Sequence, residues 1–152
     1  SVMKFRFIWI GKTKDRNWKT LQEEYLGRLS RFIRCEVAEI RDSAAHESKE
    51  NEGKRILDVL NPKGFVCLLD ISGDQISSDG LAREIEKWQG RNLKEVNFII
   101  GGAEGVSAEI RDFADFRLSL SFMTFTHDMA RVILLEQLYR AFSIIKGFPY
   151  QK

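Results

Sequence analysis

Phe98-Ile-Ile-Gly-Gly-Ala-Glu-Gly105 and Leu118-Ser-Leu-Ser-Phe-Met-Thr-Phe-Thr-His127 are the two stretches whose reading decides the fold. The first is a short apolar run that breaks into glycines, the pattern of a buried strand ending in a turn. The second reads as a strand followed by a mixed polar and apolar loop, which delivers His127 and Arg131 to the start of a long helix ending at Gly147. Together they have the makings of a cofactor pocket.

Outward from these stretches the chain alternates between two periods. Strand-like runs occupy Lys4–Ile10, 35–40, 65–71, Glu95–Ile100 and 116–120, and helical spacing fills 15 to about 32, 45–60, 78–89 and 126–146. Asp15, Ser78 and Thr126 are the expected N-caps, because a short oxygen-bearing side chain can accept from the free amides of a first turn; Gly90 and Gly147 are the expected stops. Phe65-Val-Cys-Leu-Leu69 and Val96-Asn-Phe-Ile-Ile100 are apolar almost throughout, as strands covered on both faces must be, so both belong inside the sheet. The order βαβαβαβ(α)βα predicts an α/β fold, a mostly parallel sheet flanked by helices.

A chain of 152 residues, 43% hydrophobic and 30% charged, has apolar material for one packed core and too little length for two, so a single domain over 1–152 is expected. No apolar run nears the roughly 18 residues of a spanning helix, and the basic start gives way to Phe-Arg-Phe alternation instead of a signal-peptide core. The expected location is the cytoplasm, with no membrane partner. Cys35 and Cys67 sit in strand-like runs and only two histidines accompany them, which predicts buried reduced thiols and no metal. A net charge of +2, from 24 basic and 22 acidic residues, is too small to announce a nucleic-acid binder by itself, so any RNA surface must be a local patch. Lys4, Arg6, Lys12, Lys14, Arg16 and Lys19 cluster near the N-terminus, and a solvated charged face is the ordinary meaning of such a cluster. Residues 41–53 lack apolar anchors until Ile56 and Leu57, predicting a mobile loop in which His46 is solvated.

Gly101 and Gly102 permit positive φ and close approach of a ligand to the main chain, yet by pattern alone a structural turn serves equally well. The spacing does not fit a dinucleotide fingerprint, because Ala103 stands at its second glycine, and a Walker lysine-serine pair is missing. Phe122, Met123 and Phe125, taken alone, read as core residues. In the helix from Thr126, the residues Ala130, Leu134, Leu135, Leu138, Ala141, Phe142 and Ile145 share an arc with His127 and Arg131. Buried charge needs a partner, for Arg131 either Glu136 or a carboxylate of a second copy. The other face carries Glu136, Arg140 and Ser143 but also Met129, Val132, Ile133 and Ile144, so the helix is apolar nearly all round, which predicts a subunit interface.

The Ile-Gly-Gly-Ala-Glu-Gly segment and the Leu-Ser-x-Met-Thr-x-x-His-x-x-x-Arg segment resemble the small SPOUT-superfamily methyltransferases that methylate a pseudouridine of large-subunit ribosomal RNA, and the resemblance covers essentially the whole chain. It implies a C-terminal deep trefoil knot, an exception to the rule against threaded chains, and a bent S-adenosylmethionine held within it. Carried over by position, Leu69, Gly101 and the run Leu120, Ser121, Phe122, Met123, Thr124 and Phe125 are the implied cofactor contacts. It also implies a homodimer through the last helix and the knot, each active site drawing on both subunits. One departure stands in the tail: the family's usual Tyr-His pair is matched at Tyr150, while Gln151 replaces the histidine. Glutamine can donate and accept hydrogen bonds but cannot take a proton at neutral pH.

The function implied is methylation of N3 of a pseudouridine in 23S ribosomal RNA on the assembled ribosome. The donor is already a strong electrophile, so the protein must chiefly align the reacting atoms and favour loss of the N3 proton. The residues expected to contribute are His127 as proton acceptor or orienter, Arg140 as a stabiliser of negative charge on the base, and Tyr150 stacking on or hydrogen bonding to a flipped nucleotide. The rival readings are a non-catalytic ribosome-binding protein that retains the knot, hinted at by Gln151, and a flavodoxin-like or Rossmann-like small-molecule enzyme, which the displaced glycine turn opposes.

Overall fold

The computed structural model describes residues 3–41, 48–101 and 105–150. Within them five strands, β1 (Lys4–Ile10), β2 (Arg34–Ile40), β3 (Phe65–Asp74), β4 (Glu95–Ile100) and β5 (Phe116–Leu118), form one sheet in the order β2-β1-β4-β3-β5. All of its pairings are parallel. The helices are α1 (Arg16–Leu29), α2 (Lys49–Val59), α3 (Ser78–Gly90), α4 (Ala108–Phe113) and α5 (His127–Lys146). The α/β class and the interior places of β3 and β4 are as the apolar runs predict, and β4, buried at every position, is the middle strand.

Alternation along the strands builds two cores, one on each face of the sheet. Phe5, Phe7 and Trp9 of β1 with Val96, Phe98 and Ile100 of β4 pack beneath α1, α3 and α5, where Phe5 meets Phe98 edge-on at 4.9 Å between centroids. Ile8, Ile10, Val66, Leu68 and Ile99 turn to the other face, against Ile56 of α2 and Ile110 of α4. The first core is aromatic and the larger. Among the described residues, no helix is long and apolar enough to cross a membrane.

Helix ends follow side-chain chemistry with two corrections. Asp15 accepts from the amides of Asn17 and Trp18, and Thr126 from that of Met129, as expected of N-caps. The cap of α3 is Ser77, not Ser78, with its Oγ accepting from the Gly80 amide at 3.0 Å. Gly90 is not the stop of that helix but its last residue; Arg91 caps it, and Asn92 makes the turn at a φ of 56°, a conformation Asn tolerates better than other side-chain-bearing residues. Gly147 does end α5, with a φ of 66°. Helix α2, expected from residue 45, is described from Lys49, where Ser48 caps it; Ala45 and His46 lie outside the described residues.

At the carboxyl end of the sheet β3 runs longer than its apolar pattern and β5 shorter. After an irregularity, Asp74 returns to pair with Leu118, and its carbonyl accepts from the Ser119 amide at 2.8 Å, which ends β5 two residues before Leu120. Gly73 allows this approach: a Cβ there would sit 2.7 Å from the Arg117 carbonyl carbon. Of the two free thiols Cys67 is buried, while Cys35, expected to be buried, is only half so. Burial pushes the Cys35 thiol up to about 11, so both are inert thiols at neutral pH.

Candidate functional site

A cavity of about 730 Å³ opens at the carboxyl ends of β3, β4 and β5, the end where open α/β sheets hold ligands. Leu69 lines it from β3, Gly101 from just past β4, and Leu120, Ser121, Met123, Thr124 and Phe125 from the loop between β5 and α5. His127, the first residue of α5, stands at its edge with Thr126 and Ala130. Phe122 does not line it and is 72% exposed. The core packing that Phe122 and Met123 suggest on their own is therefore absent, since Met123 is 75% exposed at the mouth.

Local hydrogen bonds shape the loop. Ser121 Oγ accepts from the Met123 amide at 2.9 Å, and Ser119 Oγ donates to the Ser121 carbonyl at 3.2 Å. Across the cavity, a Cβ on Gly101 would collide with Val106 Cγ1, so the missing side chain is what lets Val106 pack against this wall. Gly102, Ala103 and Glu104 lie outside the described residues. Several lining residues escaped the sequence reading: Asp70 and Ile71 within β3, and Val106 and Arg111 around α4. Asp70 is braced by the Ser72 amide at 3.0 Å and hydroxyl at 2.9 Å, and Arg111 donates to the Val106 carbonyl at 2.9 Å. A six-residue helix carries too short a periodic signal to reveal Arg111 beforehand.

Arg140 and Tyr150 gather elsewhere. Gly147 turns the chain back so that Phe148 N–H donates to the Ser143 carbonyl at 2.8 Å, and the tail lies along the end of α5. There Tyr150 donates to Glu136 Oε2, Arg140 pairs with the same carboxylate, and the guanidinium lies 4.6 Å from the Tyr150 ring centroid. Burial, then hydrogen bonding with Tyr25 and Glu136, pushes the Tyr150 hydroxyl well above its ordinary range. Thirteen residues of helix separate Arg140 from His127, about 20 Å at 1.5 Å per residue. Within one chain, therefore, the three candidate catalytic side chains do not meet. Gln151 lies outside the described residues.

Arg131 is the charge that the apolar stripe made conspicuous, and within the chain its ion partner is not the expected Glu136. Its guanidinium donates to the carbonyls of Ile10 at 2.7 Å and Gly11 at 3.0 Å and to Thr13 Oγ1 at 2.9 Å, with Asp128 as its ion partner at 3.5 Å. Glu136 is taken by Arg140 and Tyr150 instead. Arg131 is 1% exposed and also lies 4.9 Å from the Trp9 ring centroid, so its work is to tie α5 to the end of β1. Among the described residues, no group of three His, Cys, Asp or Glu side chains could hold a metal ion.

Comparison with known proteins bears on what such a cavity serves. Residues 3–151 match the family described as "Predicted SPOUT methyltransferase". The chain is 41% identical to "Ribosomal RNA large subunit methyltransferase H" of Halothermothrix orenii, over 99% of this chain and 100% of that protein. The protein of the same name from Geotalea daltonii is 42% identical over 97% and 99%, and that from Acetivibrio thermocellus 39% identical over 99% and 100%. With a full-length family match and relatives this similar over their whole length, the chain belongs to the SPOUT methyltransferases, in the ribosomal RNA large subunit methyltransferase H family.

Proposed function

We propose that this protein transfers a methyl group from S-adenosylmethionine to N3 of a pseudouridine in 23S ribosomal RNA, acting on the assembled ribosome in the cytoplasm as a homodimer of single-domain chains. The observation that carries the reading is the cavity itself, walled by Leu69, Gly101 and Val106 and faced by the loop 120–125. Its volume falls within the range that encloses a nucleoside-sized ligand, and its lining combines apolar Leu69, Leu120 and Met123 with loop amides and carbonyls, which suits an adenine read by its edge. The chain from β4 to α5 would form the trefoil knot of the superfamily around that ligand.

When bound, S-adenosylmethionine supplies a methyl group on a positively charged sulfur. The chain's own contribution is alignment and proton management. His127, at the cavity edge on the first turn of α5, orients the base or accepts its N3 proton. Arg140 offsets the charge left on the base, and Tyr150 stacks on the unstacked nucleotide. Because these two lie about 20 Å of helix from His127, the Arg140 and Tyr150 of one copy would complete the cavity of the other. Neither role requires a basic group at position 151, so Gln151 is read as a positioning residue.

Mass spectrometry of 23S ribosomal RNA from a strain lacking the protein tests the product: loss of one methylated pseudouridine is expected. Single-turnover methylation of ribosomes tests the rival. A wild-type protein that binds S-adenosylmethionine but stays silent until Gln151→His restores turnover would make this chain a non-catalytic ribosome-binding member of its family.

A further inference from the structure

The basic residues near the N-terminus divide into two groups. Lys4 pairs with Glu36 at 3.1 Å and Glu95 at 3.5 Å, and Arg6 pairs with Glu36 and donates to the Val59 carbonyl, so these two are neutralised. Lys12, Lys14, Arg16 and Lys19 are all exposed, and among the described residues none of the four makes an ion pair or hydrogen bond with its side chain. Nearby Asp15 is occupied as the N-cap of α1.

The backbone carrying these cations is anchored from beneath. Gly11 and Thr13 are buried while Lys12 and Lys14 are exposed, the alternation of an extended segment with one side fixed. The fixing group is Arg131, through the Gly11 carbonyl and Thr13 Oγ1; Thr13 donates to Gln22 Oε1 at 2.8 Å, and Gln22 Nε2 donates to the Asp128 carbonyl at 3.4 Å. Arg16 and Lys19 follow one turn apart on α1. The turns of α5 that hold this segment, through Asp128 and Arg131, also present His127 and Ala130 to the cavity. The same turns of α5 thus hold the segment that carries Lys12 and Lys14 and form the cavity edge at His127 and Ala130, with Arg16 and Lys19 following on α1.

We propose that Lys12, Lys14, Arg16 and Lys19 form a phosphate-binding strip that grips the RNA backbone beside the cavity. The proposal rests on the ribosomal RNA reading of the preceding section and adds the surface that engages the substrate. Lysines two apart on an extended chain are about 6–7 Å apart, on the scale of successive phosphates, and unpaired cations release counterions when they meet phosphates. Phosphate contacts of this kind position a nucleic acid without reading its sequence.

The test compares the wild type with the double variant Lys14→Gln/Lys19→Gln and with Lys63→Gln, an exposed control at the amino ends of the strands. Each is titrated with ribosomes lacking the methyl group, and with protein-free 23S ribosomal RNA, across a salt series. The double variant is expected to bind both probes roughly tenfold more weakly, with a log K against log salt slope shallower by about 1.5. KM for ribosomes rises while kcat and S-adenosylmethionine affinity stay unchanged, and Lys63→Gln behaves as wild type. An unchanged affinity and slope in the folded double variant overturns the strip, as does an equal effect of Lys63→Gln. Weaker ribosome binding with unchanged binding of free RNA would assign the strip to a ribosomal protein and overturn the RNA assignment. The titrations read the strip without turnover, so absence of methylation by the wild type would count against the proposed activity alone.

Discussion

Tyr150 donates its hydroxyl to Glu136 Oε2 at 3.0 Å, the oxygen that Arg140 Nη2 approaches at 2.6 Å. One carboxylate thereby fastens the tail to α5 and holds the guanidinium against the Tyr150 ring, with Tyr139 edge-on to that ring at 4.7 Å. The tail aromatic is presented on a fixed support.

If that support presents Tyr150 to a nucleotide, Tyr150→Ala should slow single-turnover methylation roughly ten- to hundredfold, the equivalent of a stacking contact of about 1–3 kcal/mol. Affinity for S-adenosylmethionine, measured by calorimetry, should stay nearly unchanged, because the cofactor would be held mainly by Leu69, Gly101 and the loop 120–125.

The same contacts fix a pH dependence. Burial and the hydrogen bonds to Tyr25 and Glu136 raise the Tyr150 hydroxyl above its ordinary value, so the folded state holds the proton more tightly than the unfolded one. The stability this contributes is complete below the ordinary tyrosine value of about 10 and is lost as the pH climbs from there through the folded value. Ultraviolet titration should reveal one late-ionising tyrosine, absent from Tyr150→Phe.

Gly101→Val should abolish S-adenosylmethionine binding while the fold survives, since its Cβ enters the space of Val106 Cγ1 at the cavity wall. Overpacking of this kind costs about 1–3 kcal/mol in stability, which thermal unfolding would register separately from the calorimetric loss of binding. Unchanged affinity in a folded variant would move the ligand elsewhere.

Arg131→Met removes the donors that serve Ile10, Gly11 and Thr13 and leaves buried acceptors unpaired. A loss of about 3–5 kcal/mol is expected, as for other buried pairs broken on one side, measurable by denaturant unfolding. A cost under about 1 kcal/mol, the scale of an exposed ion pair, would mean that the anchor between α5 and the end of β1 is dispensable.

Leu134 and Leu138 are fully buried inside the chain's own core, so charges placed there would unfold it without reporting on a dimer. Val132, Ile133 and Ile144 are half-buried on the remaining face of α5 and are the informative positions. Ile133→Glu should leave a folded protein that sediments as a monomer at micromolar concentration where the wild type sediments as a dimer.

Local chemistry made much of this protein legible. The bounds of β1 and β4 match their apolar runs, and the caps Asp15 and Thr126 and the stop Gly147 follow from side-chain and backbone preferences that act within one turn of helix. The family is legible too, because its glycine turn and Leu-Ser-x-Met-Thr loop survive in sequence, and most residues of that loop do line the cavity.

What sequence alone could not decide depends on segments far apart in the chain. The hydrogen-bond acceptors of Arg131 lie about 120 residues away, at a strand end that helical spacing cannot see, while its ion partner is Asp128 one turn earlier and not Glu136. The extension of β3 to Asp74 exists because that residue pairs with Leu118 across Gly73, not because of any periodicity of its own. The distance between His127 and Arg140 was implicit in helix geometry, but that Tyr150 joins Arg140 was decided by the fold-back at Gly147 and the Glu136 carboxylate. Apolar period and capping are properties of neighbouring residues; the pairing of buried charge is settled only when packing brings distant donors and acceptors together and excludes the water that would otherwise serve them.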